Sequence, residues 1–293
     1  MRIKNQLSSA PKSINQQQAC SMHEKTSIDV KMFWYTHILV LPKFVALVTT
    51  IDTEGKINAA PYSLGTPYNI GKKNPQILLG MRGSSHTCRN AVATEEFVVN
   101  FPSSSYLRDV MTTAQFMPKE ENELEHTQFT TVPSKRVKPP SVKECSQHLE
   151  CRLHDVIELD YGQVHLIGDI VEIVVDKALV EMNRRDRIKA VDPPVYLGDE
   201  QRRHFYFGRM EKIEQLEFHI PEKRDRRKKI RTNMPWEEAA LNKLSQMPVS
   251  ITELVIELIE GEARKNGDTR VTYAFYKNLE REYLPDDIDN HHY

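Results

Sequence analysis

"FVALVTTIDTEGKINAAPYS", residues 44–63, decides the fold. Residues 44–52 are short, apolar and β-branched, as a buried strand should be. Thr53-Glu54-Gly55-Lys56 then reads as a turn, and residues 57–63 return as a second strand, so the spacing predicts an antiparallel hairpin. The returning strand is unusual. From Ala59 and Ala60 through Ser63 and Gly65 to Thr66 it carries small and hydroxyl residues where a buried strand has Val, Ile or Leu. Pro61 and Pro67 forbid a full hydrogen-bond ladder on both sides. Small side chains let another group approach the backbone, so this stretch is expected to lie against something.

Outward from the hairpin, "QILLGM" (76–81) and "FVVNF" (97–101) are further buried-strand candidates. Between them "SHTCRNAVATEE" (85–96) places Cys88, Ala91 and Val92 at helical spacing, with Ser85 as N-cap. A second helix is expected over 106–115. Residues 116–147 are polar and proline-punctuated, and "VKPPSV" (137–142) predicts an extended connection. "LECRLHDVIEL" (149–159) alternates Leu149, Cys151 and Leu153, and pairs across Tyr161-Gly162 with "VHLIGDIVEIVV" (164–175). "HFYFGRM" (204–210) is the last strand. Many short strands with few helices between them predict a mainly β fold: an antiparallel split barrel with a few flanking helices, plus a small all-α C-terminal module.

That module has its own signals. "PWEEAALNKL" (235–244) opens with Pro and acids, as a helix start does. "SITELVIELIEGEARKNG" (250–267) sets Ile251, Leu254, Val255, Leu258 and Ile259 on one stripe and ends at Gly267. Residues 272–282 form a third helix capped by Thr272. The expected organisation is therefore a flexible N-terminal arm (1–32), a barrel (33–212), a basic linker (213–233) and a helical module (234–285).

The chain has 293 residues, 39% hydrophobic and 28% charged, with a net charge of -1. That net charge argues against a surface dominated by attraction to nucleic acid or membrane. The basic run 221–232 reads as a solvated linker, so no nucleic-acid partner is expected. No apolar run reaches membrane-spanning length, and the polar first 25 residues lack a signal peptide's apolar core, so a cytoplasmic protein is expected. Cys20, Cys88, Cys145 and Cys151 form no CxxC pair, and the eleven histidines show no metal-ligand spacing, so no metal site is expected.

The chain lacks G-x-G-x-x-G, the phosphate-binding P-loop pattern and G-x-S-x-G. Beside the 57–70 stretch stands "GMRGSSHTCRN" (80–90), in which hydroxyls and two arginines surround a helix start. Backbone N–H groups there, with a guanidinium, suit a phosphate dianion. A capped helix with exposed charges is the commoner use of such a stretch.

In these residues the chain resembles the flavin reductase-like, FMN-binding split-barrel family. The resemblance runs in order from about Leu41 to Met210. It is carried by "LPKFVALVTTIDTEGKINAAPYSLGTP", "SSHTCRNAVATEEFVVNFPS", "VPSKRVKPPSVKECSQHLECRLHDVIEL", "GQVHLIGDIVEIVVD" and "PPVYLGDEQRRHFYFGRM". It implies a flavin, FMN, lying against Asn58, Ala60, Pro61, Ser63 and Thr66. The phosphate end is then met by Arg82, Ser85, Thr87, Arg89 and Asn90. It also implies a homodimer with the flavin near the interface. The chain departs from the family pattern in two places. "YNIGKKNPQ" keeps only Pro75 of the Asp-Pro-Pro that often follows the flavin segment, and Ser85-His86-Thr87 stands where Lys-Asp-Thr is frequent, so either His86 substitutes as a cation near the phosphate or the grip there is weaker. His165 on the closing hairpin either faces the flavin or, the commoner case for a strand histidine, is satisfied by a neighbour. Residues 234–282 resemble the small C-terminal helical domain of the B subunit of light-independent protochlorophyllide reductase.

The implied function is an FMN-binding oxidoreductase that passes electrons from NAD(P)H through flavin to a flavin, a small acceptor or a partner protein. No catalytic acid or base is expected, because the flavin carries the redox chemistry. The alternative is a flavin-binding electron carrier or sensor without turnover, acting through its helical tail.

Overall fold

The computed structural model describes residues 25–71, 73–115, 122–200, 203–216, 230–247 and 249–283. The expected arm, apart from residues 25–32, and most of the basic linker lie outside the described residues. Contacts divide the chain into two compact units. One is made of residues up to Gly65, Leu79–Leu166 and Val171–Met210. The other is made of Thr66–Leu78, Ile167–Ile170 and residues from Glu211 on.

The predicted hairpin is present. Strand β2 (Ala46–Ile51) pairs antiparallel with β3 (Ile57–Tyr62) in the register Thr49↔Ala59 and Thr50↔Asn58. Asp52 closes the turn, its Oδ1 accepting the N–H groups of Glu54 and Lys56 at 2.9 Å each, and Gly55 supplies the positive φ of 85°. With β4 (Gly65–Asn69), β5 (Gln76–Arg82), β6 (Glu96–Phe101), β9 (Gln147–Glu158) and β10 (Gln163–Val175) they form a seven-stranded sheet in the order β3-β2-β6-β9-β10-β5-β4. Its two end strands are consecutive in the chain, separated by Ser63 and Leu64 alone, a link that spans about 10 Å at most. The sheet must therefore curl until its ends meet, which makes it a barrel. Because β3 and β4 are not hydrogen-bonded neighbours, the barrel is split. Gly65 is required at the join, since a Cβ there would lie 2.5 Å from the Phe44 ring. A separate three-stranded sheet joins β1 (Lys43–Phe44), β11 (Val195–Glu200) and β12 (His204–Gly208).

Buried polar groups fasten the proline-rich connection to the barrel. Asn100 donates to the Leu47 carbonyl at 2.9 Å and accepts the Val142 N–H at 2.8 Å, within the short pairing of β7 (Thr131–Val132) and β8 (Ser141–Val142). Thr49 donates to the Pro140 carbonyl at 2.6 Å. Glu150, fully buried, accepts the N–H groups of Lys135 and Arg136 at 2.8 and 2.6 Å. The face of β9 toward this connection carries His148 and Glu150; of the expected alternation on the other face, Cys151 is fully buried and Leu149 and Leu153 are only half-buried. The polar face is buried as well because the element covering it is a loop whose backbone must be hydrogen-bonded.

Short helices complete this unit. Helix α1 (Trp34–His37), α4 (Lys177–Val180) and α5 (Arg184–Val191) were not expected, whereas α3 spans only Leu107–Thr112 of the expected 106–115. Helix α2 (His86–Thr94) is capped as expected, with Ser85 Oγ accepting the Cys88 N–H at 3.1 Å. Its buried face is Thr87, Cys88 and Ala91. Val92 stays 48% exposed, so a threonine takes a position that apolar spacing assigns elsewhere.

In the second unit, helices α6 (Glu238–Ser245), α7 (Val249–Lys265) and α8 (Tyr273–Tyr283) share a core that includes Leu244, Val255, Ile256, Ile259, Val271 and Tyr276. Helix α6 starts three residues later than expected, because Trp236 bridges to Val271 and Pro235 accepts the Val271 N–H at 2.8 Å. The stripe on α7 is rotated: Leu254 is 53% exposed, while Ile256 and Glu260 are buried. Glu260 is tolerated there because the Asn233 N–H, the Trp236 indole and Arg264 all donate to it, at 2.7, 3.2 and 2.9 Å.

Candidate functional site

Strand β3 is an end strand, and its free edge shows why Pro61 is tolerated. The Ala59 N–H points away from β2 and donates to Glu123 Oε2 at 3.0 Å. Two residues on, the outward position is Pro61, which has no N–H to leave unpaired. Ala60, Pro61 and Ser63 are half-buried along this edge, and Thr66 is exposed on β4.

Asn58 and Thr87 are brought together. Thr87 is 1% exposed and Asn58 7% exposed. The Asn58 amide fits two ways. With its nitrogen on Thr87 and Thr50, at 3.0 and 3.3 Å, its oxygen faces the Glu123 carboxylate, acceptor against acceptor. Reversed, the nitrogen donates to Glu123 Oε1 at 3.3 Å, and the oxygen accepts from the Thr50 and Thr87 hydroxyls at 3.3 and 3.0 Å. Only the reversed arrangement satisfies every group. Asn90 joins from α2, donating to Thr50 Oγ1 at 3.3 Å.

Outside this buried set, a hollow of about 30 Å³ is lined by Asp52, Lys56, Ile57, Asn58, His86, Arg89 and Asn90. Three of the predicted site residues, Asn58, Arg89 and Asn90, meet here. Arg82 is exposed and contributes its carbonyl to Ser85, whose hydroxyl donates to it at 2.8 Å. Ser85 is at the helix start, its oxygen committed to the cap. His165 sits half-buried on β10, its ring about 3.5 Å from where a side chain on Gly80 would begin.

Three residues at this place were missed by sequence reasoning. Lys56 is a turn residue whose spacing signals nothing. Glu123 lies in a polar connection, in a 3-10 turn (Glu123–His126), 64 residues from the strand it serves. Tyr62 reaches the helix start, with its hydroxyl 3.5 Å from Ser85 Oγ. Burial pushes the Tyr62 phenol above its usual range, and its hydrogen bonds with Ser85 and Thr87 offset part of that rise.

The chemistry available is anion binding. The first-turn N–H groups of α2 carry the positive end of the helix dipole, and Lys56, His86 and Arg89 ring the same hollow. Asp52, the acid in the ring, is engaged with the turn. This donor set suits an anion such as phosphate, and Ala59, Ala60 and Pro61 follow Asn58 along β3.

Comparison with known proteins gives these features a context. A family model described as the flavin reductase like domain matches residues 39–200. The uncharacterized protein YwrF of Bacillus subtilis is 34% identical over 137 residues, covering 45% of this chain and 65% of that protein. An uncharacterized protein of Aquifex aeolicus is 30% identical over 166 residues, covering 55% of this chain and 83% of its own length. Among solved structures, nitrilotriacetate monooxygenase component B from Bacillus cereus superposes with a TM-score of 0.55 at 26% identity, covering 73% of this chain and all of that one. Flavoredoxin of Desulfovibrio vulgaris (Miyazaki F) superposes with a TM-score of 0.54 at 22% identity over 68% of this chain and 99% of its own, which establishes shared fold.

Proposed function

Because the chain belongs to the flavin reductase-like family, we propose that β3 and the start of α2 hold FMN, its ring against the small residues and its phosphate at the helix. The observation that carries this reading is that Lys56, His86 and Arg89 line one hollow with Asn58, where β3 continues into Ala59, Ala60 and Pro61 and α2 begins.

In this reading Asn58, Ala60, Pro61, Ser63 and Thr66 lie along the flavin. At the phosphate, Arg89 supplies a charge-assisted hydrogen bond, Lys56 adds positive charge and the His86 ring offers an N–H donor. Arg82 and Asn90 flank it, Ser85 holds the helix start, and Thr87 contributes its backbone N–H. Bound flavin supplies the electron-transfer chemistry. The chain positions it, compensates the phosphate charge and keeps one face dry.

The family is one of flavin-related oxidoreductases. The finer reading takes NAD(P)H as donor and a flavin, small acceptor or partner protein as acceptor, in a cytoplasmic homodimer. Residues 33–212 serve as the flavin body and 234–285 as an appended helical module. Among the described residues no helix is long and apolar enough to cross a membrane.

Purification followed by a visible spectrum tests the proposal. The expected result is a yellow protein, or one that takes up FMN, bleached by NADH or NADPH. Protein that stays yellow with either donor contradicts turnover, and protein that takes up no FMN contradicts the site.

A further inference from the structure

Glu123 is buried, 7% exposed, yet no step above uses its charge. It lies at the end of a one-way chain of donors. Asn90 on α2 donates to Thr50 on β2 at 3.3 Å. The Thr50 and Thr87 hydroxyls donate to the Asn58 oxygen, at 3.3 and 3.0 Å, and the Asn58 nitrogen donates to Glu123 Oε1 at 3.3 Å. Glu123 Oε2 takes the Ala59 N–H at 3.0 Å. Every donor points toward the carboxylate, an arrangement in which each bond polarises the next.

We propose that Glu123 is a positioning residue for the flavin-facing edge: it fixes the direction of this chain and so locks the start of α2 to β3. The positioning role rests on the flavin reading above. Thr87 then acts through its side chain on Asn58, because its hydroxyl proton is already committed.

The carboxylate is required because it accepts at both oxygens. In Glu123→Gln one oxygen can still take the Ala59 N–H, but the new NH₂ faces the Asn58 NH₂, donor against donor. Asn58 must turn round, and the Thr50 and Thr87 hydroxyls lose their common acceptor. In Asn58→Asp two carboxylates face each other in a buried site. The double variant Glu123→Gln/Asn58→Asp exchanges acid and amide: the new amide at position 123 donates to the new carboxylate at position 58, which accepts both hydroxyls. Every pairing returns, and the total charge equals that of the wild type.

The test is FMN titration and thermal melting of the full chain as wild type, both single variants and the double variant. Losing one directed hydrogen bond predicts roughly tenfold weaker FMN binding in Glu123→Gln, with a lowered Tm. The double variant should recover the Tm, while its FMN binding stays weakened by the carboxylate at position 58, which lines the hollow. A double variant whose Tm falls by as much as the sum of the singles overturns the proposal. If Asn58→Asp alone does not fold, recovery of the double variant's Tm relative to Glu123→Gln supports the proposal, and no recovery overturns it. Wild-type protein that binds no FMN would overturn the flavin reading and with it the positioning role, whereas Tm recovery would still establish the directed chain.

Discussion

Ser85 Oγ lies 3.1 Å from the Cys88 amide nitrogen and closes the first turn of α2. Because that oxygen is committed to the helix, Ser85 should matter to the fold more than to the ligand. Ser85→Ala should cost about 1 kcal/mol, the usual worth of such a cap. Ser85→Asp keeps the cap and adds a negative charge where the phosphate is proposed. Its Tm should stay near wild type while FMN binding weakens and riboflavin binding holds. Melts and titrations with both flavins check this.

Glu150 should be among the least replaceable residues of the barrel unit. It is fully buried and accepts two N–H groups of the proline-rich connection. Glu150→Ala orphans both donors, at about 1–3 kcal/mol each. Denaturant unfolding should show a large drop in midpoint.

Gly198 is held by geometry. Its φ is +128°, and a Cβ there would lie 2.5 Å from the Thr36 carbonyl oxygen. It also marks the register shift between β11 and β12. Gly198→Ala should destabilise by about 1–3 kcal/mol through backbone strain alone, and by more if α1 is displaced. Thermal melting measures it.

The thiols should be inert in the native protein. Burial pushes Cys88 and Cys145 upward from the ordinary thiol range, and Cys151 is buried too. The thiolate is the reactive species, so raised values leave little of it at pH 7–8, and its fraction grows only as pH rises further. In a Cys20→Ser background, a thiol reagent should find no fast-reacting group until denaturant is added. Fast labelling of the native protein would contradict this.

The barrel was legible because its strands obey local rules: β-branched runs, turn residues at 53–56 and 161–162, and a serine cap at residue 85. Its prolines forbade a full ladder on both sides of β3, which the fold meets by making β3 an end strand. What stayed illegible depends on partners distant in sequence. Nothing near Glu123 or Glu150 shows that a carboxylate is buried there to satisfy backbone N–H groups of another segment. The resemblance sets Thr87 at the phosphate end, yet the fold buries its side chain, where Asn58 offers an acceptor on the facing strand. Helix α5 has no apolar stripe, and its one local sign is the Asn183 cap on the Asp186 N–H at 3.0 Å. On α7, Leu254 fits the stripe but faces out, because a helix packed by neighbours buries a face that periodicity alone does not orient.

The central claim, a flavin phosphate at the start of α2, is tested most directly at Arg89, which is exposed at the hollow and takes no part in the buried chain. Hydrogen bonds to charged groups are worth about 1.5–3 kcal/mol, so Arg89→Ala should weaken FMN binding roughly ten- to a hundredfold. Riboflavin lacks the phosphate and should lose little. Fluorescence titration of wild type and variant with both flavins gives the answer: a loss confined to FMN is the predicted result, and equal losses for FMN and riboflavin would contradict the account.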